Sequence, residues 1–305
     1  MSDRSVGTVA VVSTGEMGQA VGRVLKADGL RVVTWLEGRS PRTVRLAAEA
    51  GIEGRSSLEA AVAEADLFFS LVPPACALEL AQEVAAALRR TGSRLLYVDG
   101  NSIAPSTARR VAGILADAGG STLDVSIVGP PPVLGRRESR TRFYVSGEEA
   151  EVLVEVARGL DVRPLPGGVG QASALKMCYA GVTKGLIALA TELLVAAERL
   201  EVGEAVMAEM RSAQPALLDL IRQQVPRMPP KAYRWVGELE EMATTVTEVG
   251  LPPGVFTGAA DLFRLVESSP LGAERPEDRR LGTSLQEVVR ILADDPAPGG
   301  MTGWG

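Results

Sequence analysis

Residues 7–25 of this 305-residue chain read GTVAVVSTGEMGQAVGRVL, and no other segment says more about the fold. A run rich in β-branched residues, Gly7–Ser13, leads at once into glycines and then into a helix-forming segment. Strand, tight turn and helix in this order are typical of an α/β fold that binds the phosphates of a dinucleotide at the turn. The stretch therefore predicts a phosphate-binding turn, with a purely structural glycine-rich turn as the alternative.

The turn carries two of the three glycines that a dinucleotide-binding turn usually has. Gly15 lets a pyrophosphate approach the backbone, and the start of the following helix supplies N–H donors. Ser13 stands where the first glycine is usual, and we expect it to make the tight turn at some cost in backbone strain. The residues predicted to contact the cofactor here are Ser13, Thr14, Gly15, Glu16, Met17 and Gly18.

A polar cluster, LEGRSPRT at residues 36–43, follows the second predicted strand. Glu37 has the spacing of a carboxylate that binds the ribose of NAD. Arg39, Ser40 and Arg42 are instead donors suited to the 2′-phosphate of NADP. Because three donors stand where one phosphate would lie, we predict NADP as the preferred cofactor, with NAD and a solvated loop as alternatives.

Strand-like and helix-like segments alternate from residue 6 to residue 164, which predicts a parallel sheet with helices on both faces. The further predicted strands are Arg31–Leu36, Asp66–Val72, Arg94–Asp99, Thr122–Val128 and Arg142–Gly147. The predicted helices between them are Met17–Ala27, Pro41–Ala50, Leu58–Ala65, Ala75–Arg90 and Ser106–Ala118.

The pattern changes after Arg163–Gly170, RPLPGGVG, whose prolines and glycines indicate a hinge. An apolar helix is predicted from Gln171 to about Leu200, followed by helices broken at Val225–Lys231, Gly250–Gly254 and Ser268–Gly272. We therefore predict an α/β, Rossmann-type doubly wound parallel sheet in residues 1–166. An all-α domain for substrate binding and dimerisation is expected in residues 167–305, beginning with a long interdomain helix.

Composition excludes several classes of function. The chain has no histidine, which removes the usual near-neutral acid/base and the commonest metal ligand, so we expect no metal site. A net charge of −6 offers no basic face for nucleic acid. Cys76 and Cys178 have no metal or redox spacing and favour a reducing compartment. We expect no signal segment and no apolar run of membrane-spanning length, and hence a cytoplasmic protein.

Four motifs in succession resemble the β-hydroxyacid dehydrogenases, a family that includes 3-hydroxyisobutyrate dehydrogenase and 6-phosphogluconate dehydrogenase. They are STGEMGQAVGRVLKADGLRVV, DGNSIAP, DVSIVGPP and GGVGQASALKMCYAGVTKG. RWVGELEEMA and GLPPGVFTGAADLFRLV are similar to a branch with a 6-phosphogluconate dehydrogenase-like C-terminal domain. The resemblance implies NAD(P)-dependent hydride transfer and a homodimer.

Lys176 falls on the catalytic lysine of the family pattern. A hydroxyl that loses hydride must also lose a proton, and a lysine in an apolar cleft can carry it, because burial disfavours its charged form. A side chain that merely snorkels from an apolar helix is the alternative. Lys184, eight residues on, is expected to be structural or a surface charge. The family's asparagine falls on Ala180, so we expect Tyr179 and Thr183 to supply the missing polar contact, with core packing as the alternative for Tyr179.

The resemblance implies further site residues. Val72, Pro73 and Asn101 are expected at the cofactor, and Ser102 at the nicotinamide or the substrate, a turn role being the alternative. Relatives hold the substrate carboxylate with a Ser-Gly-Gly turn, whereas this chain has Val128, Gly129 and Pro130 there, and proline has no N–H to donate. The remaining candidates are Arg234 and Glu238, which could instead pair with each other, and Arg136 and Arg137, which an exposed loop explains equally well.

Together these features predict an NAD(P)-dependent dehydrogenase or reductase that acts on an alcohol/carbonyl pair, such as a β-hydroxy acid or a related polar compound. An imine reductase of the same architecture and a non-enzymatic NADP(H)-sensing protein are the alternatives.

Overall fold

The computed structural model describes residues 6–136, 141–275 and 279–295, so Arg137 lies outside the described residues. The chain forms two compact units, Met1–Met177 and Cys178–Gly305. The long helix predicted from Gln171 therefore begins within the first unit, whereas the predicted domain boundary precedes that helix. The boundary between residues 166 and 167 stays a prediction of domain organisation.

The first unit is built on an eight-stranded sheet in the order β3-β2-β1-β4-β5-β6-β7-β8. Strands β1 to β6 run parallel, and β7 is antiparallel to β6 but parallel to β8. The strands are β1 (Thr8–Val12), β2 (Arg31–Trp35), β3 (Glu53–Arg55), β4 (Leu67–Ser70), β5 (Leu96–Asp99), β6 (Ser121–Val128), β7 (Arg142–Ser146) and β8 (Asp161–Pro164).

Six of these strands confirm the predicted ones, whereas β3 and β8 were not predicted. Both are edge strands of only three and four residues, EGR and DVRP, without the alternating apolar residues that mark a strand in a sequence. Edge strands are exposed along one side and need no such pattern. β8 even includes Pro164, a residue that sheets tolerate mainly at their edges.

Helices cover both faces of the sheet because successive residues of the buried strands point in opposite directions. Val9 and Val11 of β1 pack in one apolar core, and Ala10 and Val12 pack in the other. This arrangement confirms the doubly wound α/β architecture. The helices of the unit are α1 (Glu16–Ala27), α2 (Pro41–Glu49), α3 (Leu58–Glu64), α4 (Ala77–Thr91), α5 (Pro105–Ala116) and α6 (Ala150–Val156). Of these, α6 was not predicted.

The helical part of the chain begins with α7 (Gln171–Arg199), which agrees with the predicted long helix. The remaining helices are α8 (Gly203–Ala213), α9 (Pro215–Gln224), α10 (Ala232–Glu248), α11 (Gly254–Ser268) and α12 (Leu285–Asp294). Two 3₁₀ turns occupy the predicted break at Val225–Lys231. The described residues end at Asp295, and none of those after β8 forms a strand.

Helix α7 corrects one expectation from the sequence. Among the described residues, it is the helix that is long and apolar enough to cross a membrane by length and composition, although no such run was expected. Half of its most apolar window is buried within the protein. A helix in the core of a globular protein has the same length and composition.

Candidate functional site

The predicted phosphate-binding turn joins β1 to α1 as expected. Gly15 is the N-cap residue of α1 and offers no side chain to the first N–H groups of the helix. A Cβ built on Gly15 would meet no other atom within 4 Å. Free space beside an uncapped helix N-terminus is what a pyrophosphate requires, so the turn fits a dinucleotide.

Gly18 has a different role in the same turn. A Cβ at Gly18 would lie 1.9 Å from the carbonyl oxygen of Ser13, so only glycine lets the helix approach the strand this closely. Ser13 itself does not adopt a left-handed backbone conformation, because Glu201 is the one described residue other than glycine with a positive φ. Ser13 therefore does not adopt the backbone conformation that would require glycine at this position.

Because the two glycines have different roles, their replacement by alanine should affect different properties of the protein. Gly15→Ala has room for its methyl group and should unfold at nearly the wild-type temperature, yet bind NADPH at least about tenfold more weakly, because the methyl occupies the phosphate approach. Gly18→Ala overpacks the turn and should lose about 1–3 kcal/mol of stability. Thermal unfolding and NADPH fluorescence titration measure both effects. Wild-type NADPH affinity in Gly15→Ala would contradict the assignment of the turn.

The polar cluster after β2 lies against the same turn. Arg42 forms an ion pair of 3.1 Å with Glu16, and the Thr14 hydroxyl donates to the carbonyl of Thr43 at 3.3 Å. Ser40 caps α2, because its hydroxyl accepts a hydrogen bond from the Thr43 N–H at 3.2 Å. The first two sequence motifs are therefore one continuous surface of the first unit.

Glu37 and Arg39 both contact Trp35, the last residue of β2. The Trp35 indole N–H donates to Glu37 at 3.4 Å, and the Arg39 guanidinium lies 4.7 Å from the centre of the indole ring. The Nε atom of Arg39 is buried and has no hydrogen-bond partner among the described residues. The guanidinium is therefore held by stacking at the carboxyl end of β2.

Asn101 connects the carboxyl ends of β4 and β5. Its carbonyl oxygen accepts from the Val72 N–H at 2.8 Å, and its amide donates to the Ser70 hydroxyl at 2.9 Å. Val72 and Asn101 are buried, whereas Pro73 is exposed. The side chain of Asn101 thus fixes the loop that was predicted to line the cofactor.

Strands β5 and β6 carry two buried carboxylates, those of Asp99 and Asp124, and neither was predicted as a functional residue. Asp99 ends β5 and lies opposite Asp124 of β6 in the parallel register, so both side chains point to the same face of the sheet. Each residue is only 1% exposed. Charged side chains this deeply buried need partners, and the two aspartates differ sharply in the partners they have.

Asp124 anchors the start of α7. Its carboxylate accepts hydrogen bonds from the Gly170 N–H at 2.8 Å, the Ser173 N–H at 2.9 Å, the Ser173 hydroxyl at 2.7 Å and the Ser146 hydroxyl at 3.3 Å. Burial raises the pKa of Asp124, and these four donors oppose the rise. Gly170 has a φ of +106°, a backbone conformation that favours glycine.

Asp99 is less well compensated. One of its oxygens accepts from the Asn101 N–H at 3.0 Å, and the other is buried without a hydrogen-bond partner among the described residues. Burial raises the pKa of Asp99 to about 7, and the charge of Asp124 adds to that rise. The Asn101 hydrogen bonds and the positive charge of Lys176 act in the opposite direction.

Lys176, the predicted proton carrier, is half-buried one turn of α7 beyond Ser173. It belongs to the first unit, together with the dinucleotide turn and Asp99. Tyr179 and Thr183 are exposed positions of α7 in the second unit. Core packing, the alternative considered for Tyr179, does not apply, because 57% of this residue is exposed.

The predicted substrate turn follows β6 in the first unit. Val128 is buried at the end of the strand, Gly129 has a φ of +125°, and Pro130 is exposed. The Thr141 hydroxyl donates to the carbonyl of Pro130 at 2.5 Å. Ser102 is half-buried after β5.

The second unit contains a buried ion pair between Lys184 of α7 and Glu238 of α10. The side chains are 9% and 12% exposed, and the ammonium lies 5.0 Å from the centre of the Trp235 ring. Lys184 therefore has the structural role considered for it and is not a surface charge. Glu238 was predicted as a substrate contact and uses its carboxylate in this pair, whereas Arg234 is exposed.

Comparisons with known proteins agree with this architecture. Residues 8–154 match the model of the NAD binding domain of 6-phosphogluconate dehydrogenase, and residues 197–266 match a domain of unknown function, DUF1932. The first unit thus contains an NAD(P)-binding domain.

Solved structures extend the likeness to most of the chain. A conserved protein of unknown function with structural similarity to 3-hydroxyacid dehydrogenases is 30% identical, with a TM-score of 0.62, over 85% of this chain and 96% of that one. The 3-hydroxyisobutyrate dehydrogenase of Mycobacterium tuberculosis shares the fold at 19% identity and a TM-score of 0.68, over 94% and 98% of the two chains. An imine reductase from Myxococcus stipitatus also shares the fold, at 18% identity and a TM-score of 0.52, over 94% and 99%.

Proposed function

We infer the function from the family: the chain belongs to the 6-phosphogluconate dehydrogenase-like NAD(P)-dependent oxidoreductases, which include the 3-hydroxyacid dehydrogenases. We propose that it transfers hydride between a nicotinamide cofactor and an alcohol/carbonyl pair. The proposed substrate is a β-hydroxy acid or a related polar compound, and Lys176 is the proposed general acid/base.

The placement of Lys176 is the observation that carries this proposal. The lysine is half-buried in the same compact unit as the dinucleotide turn. Its helix is fixed at the N-terminus by Asp124, and its charge acts on the buried Asp99. A proton carrier needs such a fixed position, because proton transfer requires hydrogen-bonding distance to the reacting oxygen.

The residues of the turn would hold the cofactor through backbone N–H groups of Gly15 and of the first turn of α1. When bound, the nicotinamide supplies or accepts the hydride. In oxidation the neutral Lys176 amine takes the proton from the substrate hydroxyl oxygen, and in reduction the ammonium returns it. Ser102, Tyr179 and Thr183 are proposed to orient the substrate, and Asn101 to fix the adjoining loop.

We propose NADP as the preferred cofactor, supported by the half-buried Arg39, whose guanidinium stacks on Trp35 at the carboxyl end of β2. Arg39→Ala should weaken NADPH binding by about 10- to 100-fold and change NADH binding little, because a charge-assisted contact to the 2′-phosphate is lost. Arg45→Ala is the matched control, since Arg45 lies on α2, shortly after Arg39 in the chain, and pairs with Glu49 on the surface. Equal losses for NADPH and NADH would contradict this preference.

The proposed activity is tested by a substrate panel with NADP and NAD, followed by absorbance at 340 nm. Oxidation of 3-hydroxy acids, or reduction of the corresponding ketones, is the expected result. Turnover confined to cyclic imines would identify an imine reductase instead. Cofactor binding without turnover on any compound would favour a sensing role.

We also propose a cytoplasmic homodimer. Exposed apolar side chains of the second unit support the dimer; they include Val182, Leu189 and Leu193 of α7 and Val255 of α11. The free thiols of Cys76 and Cys178 support a reducing compartment. Light scattering measures the oligomeric state, and cell fractionation measures the location.

A further inference from the structure

We propose that Asp124 and Ser146 are positioning residues for Lys176, because together they tie the start of α7, the helix that carries this lysine, to the sheet. These two side chains form what we call the helix clamp. The role deepens the function proposed above and rests on it, since Lys176 is the general acid/base in that scheme. Both residues act on the reaction through the placement of Lys176.

The helix clamp binds most of the N–H groups that α7 leaves open at its start. The first four N–H groups of an α-helix have no intrahelical partner. Those of Gly170 and Ser173 donate to the Asp124 carboxylate at 2.8 and 2.9 Å. The Ala172 N–H donates to the Ser146 hydroxyl at 3.1 Å. The clamp therefore takes three of the four groups, and the fourth donates to a carbonyl of the preceding loop at 3.3 Å.

The clamp differs from the caps of other helices in its origin. Helices α2, α3 and α12 are each capped by the serine that precedes them. Such a local cap stabilises a helix but moves with it. Gly170 precedes the first residue of α7 and has no side chain, so the capping groups come from β6 and β7, between 26 and 49 residues away in the chain. The start of α7 is therefore fixed to the sheet.

The two side chains of the clamp lie next to each other in the sheet. Asp124 of β6 and Ser146 of β7 are directly opposite in the antiparallel register, and the Ser146 hydroxyl donates to the Asp124 carboxylate at 3.3 Å. Asp124 is 1% exposed and Ser146 is 0% exposed. The same sheet carries the dinucleotide turn at the end of β1. The clamp thus ties α7 to the part of the first unit that would bind the cofactor.

A further contact fixes the rotation of α7 about its own axis. One carboxylate oxygen of Asp124 accepts from the Ser173 N–H, and the other accepts from the Ser173 hydroxyl at 2.7 Å. Because Ser173 is held by its backbone and by its side chain, the helix cannot turn without loss of one of these bonds. Lys176 follows three residues later, on the same side of the helix and about 4.5 Å along it. The clamp therefore determines where the Lys176 side chain leaves the helix.

The first test compares two replacements of Asp124. In Asp124→Asn the amide oxygen still accepts the helix N–H groups, and the Ser173 hydroxyl can accept from the amide nitrogen, so the clamp is kept without a group that can ionise. Asp124→Ala removes it. At the optimum pH of each variant, kcat should fall about 10- to 100-fold in Asp124→Ala and stay within about fivefold of wild type in Asp124→Asn, with KM little changed in both. Equal losses of kcat in the two variants would overturn the proposal.

Ser173→Ala is a milder variant that keeps the N–H contacts to Asp124 and removes only the hydroxyl. Its kcat should fall at least about threefold, because the rotation of α7 is less well fixed. Thr191→Ala is the control, since Thr191 is a buried residue of the same helix whose hydroxyl donates to the Ile187 carbonyl at 2.7 Å. It should lower stability and leave kcat unchanged. Wild-type kcat in Ser173→Ala, or the same loss in Thr191→Ala, would contradict a positioning role.

A second measurement needs no turnover. Reductive methylation with ¹³C-formaldehyde labels lysine amines, and the chain has only four lysines, so Lys176→Met assigns the Lys176 signal in the NMR spectrum. In Ser173→Ala this signal should shift and broaden, whereas those of Lys26 and Lys231 should stay in place. An unchanged Lys176 signal overturns the proposal. A changed signal in a protein that turns over no compound of the panel leaves the clamp standing and refutes the proposed activity.

Discussion

Lys176→Met is expected to lower kcat for the NAD(P)-dependent reaction by about 100- to 10,000-fold, the range that general acid–base catalysis contributes. Methionine keeps the length and the apolar stem of lysine but cannot carry a proton. The chain has no histidine that could take over, and in this proposal the reacting oxygen depends on one amine. Cofactor affinity should stay within about threefold of wild type, because the dinucleotide turn is untouched.

Lys26→Met is the matched control for this variant. Lys26 is exposed at the end of α1 and donates a hydrogen bond to the carbonyl of Gly51, so its loss removes the same charge far from the proposed chemistry. Steady-state kinetics at 340 nm and NADPH titration are run on both variants. Wild-type kcat in Lys176→Met would refute the acid–base role, whatever the substrate is.

Most of the fold could be predicted because each buried element carries its own pattern. The strands β1, β4 and β5 are mostly apolar and fully or almost fully buried, and α7 is an apolar helix that follows a glycine-rich segment. Elements that are buried on both faces consist mostly of apolar residues, so the sequence itself indicates them. The short edge strands β3 and β8 form because they pair with a neighbouring strand. Their own sequences carry no pattern from which this pairing could be predicted.

The candidate site could be predicted only in part, for a related reason. The dinucleotide turn and Lys176 are local motifs, whereas the pairing of Asp99 with Asp124 depends on the register of β5 and β6. A signal was nevertheless present, since an aspartate inside the apolar run TLDVSIV is unusual unless it has buried partners. A structural role for Lys184 was one of the two alternatives predicted, but its partner was not predicted, because Glu238 lies 54 residues away on another helix.

The buried ion pair of the second unit predicts the largest loss of stability. Lys184→Met should lower the free energy of unfolding by about 3–5 kcal/mol, because the Glu238 carboxylate, which is only 12% exposed, loses the ammonium that pairs with it. The contact of the ammonium with Trp235 is lost as well. Asp219→Ala removes one partner of an exposed pair with Arg222 and should cost less than about 1 kcal/mol.

The double variant Lys184→Met/Glu238→Leu separates the cost of removing one partner of the ion pair from the stability that the pair itself contributes. Two apolar side chains of similar size avoid the desolvation of both charges, so the double variant should regain most of the stability lost in Lys184→Met. Urea unfolding followed by circular dichroism gives the three free energies. A double variant as unstable as the single one would mean that the pair stabilises the second unit in its own right. A single variant no worse than Asp219→Ala would mean that Glu238 is compensated by other groups, and that burial of this pair carries no large energy.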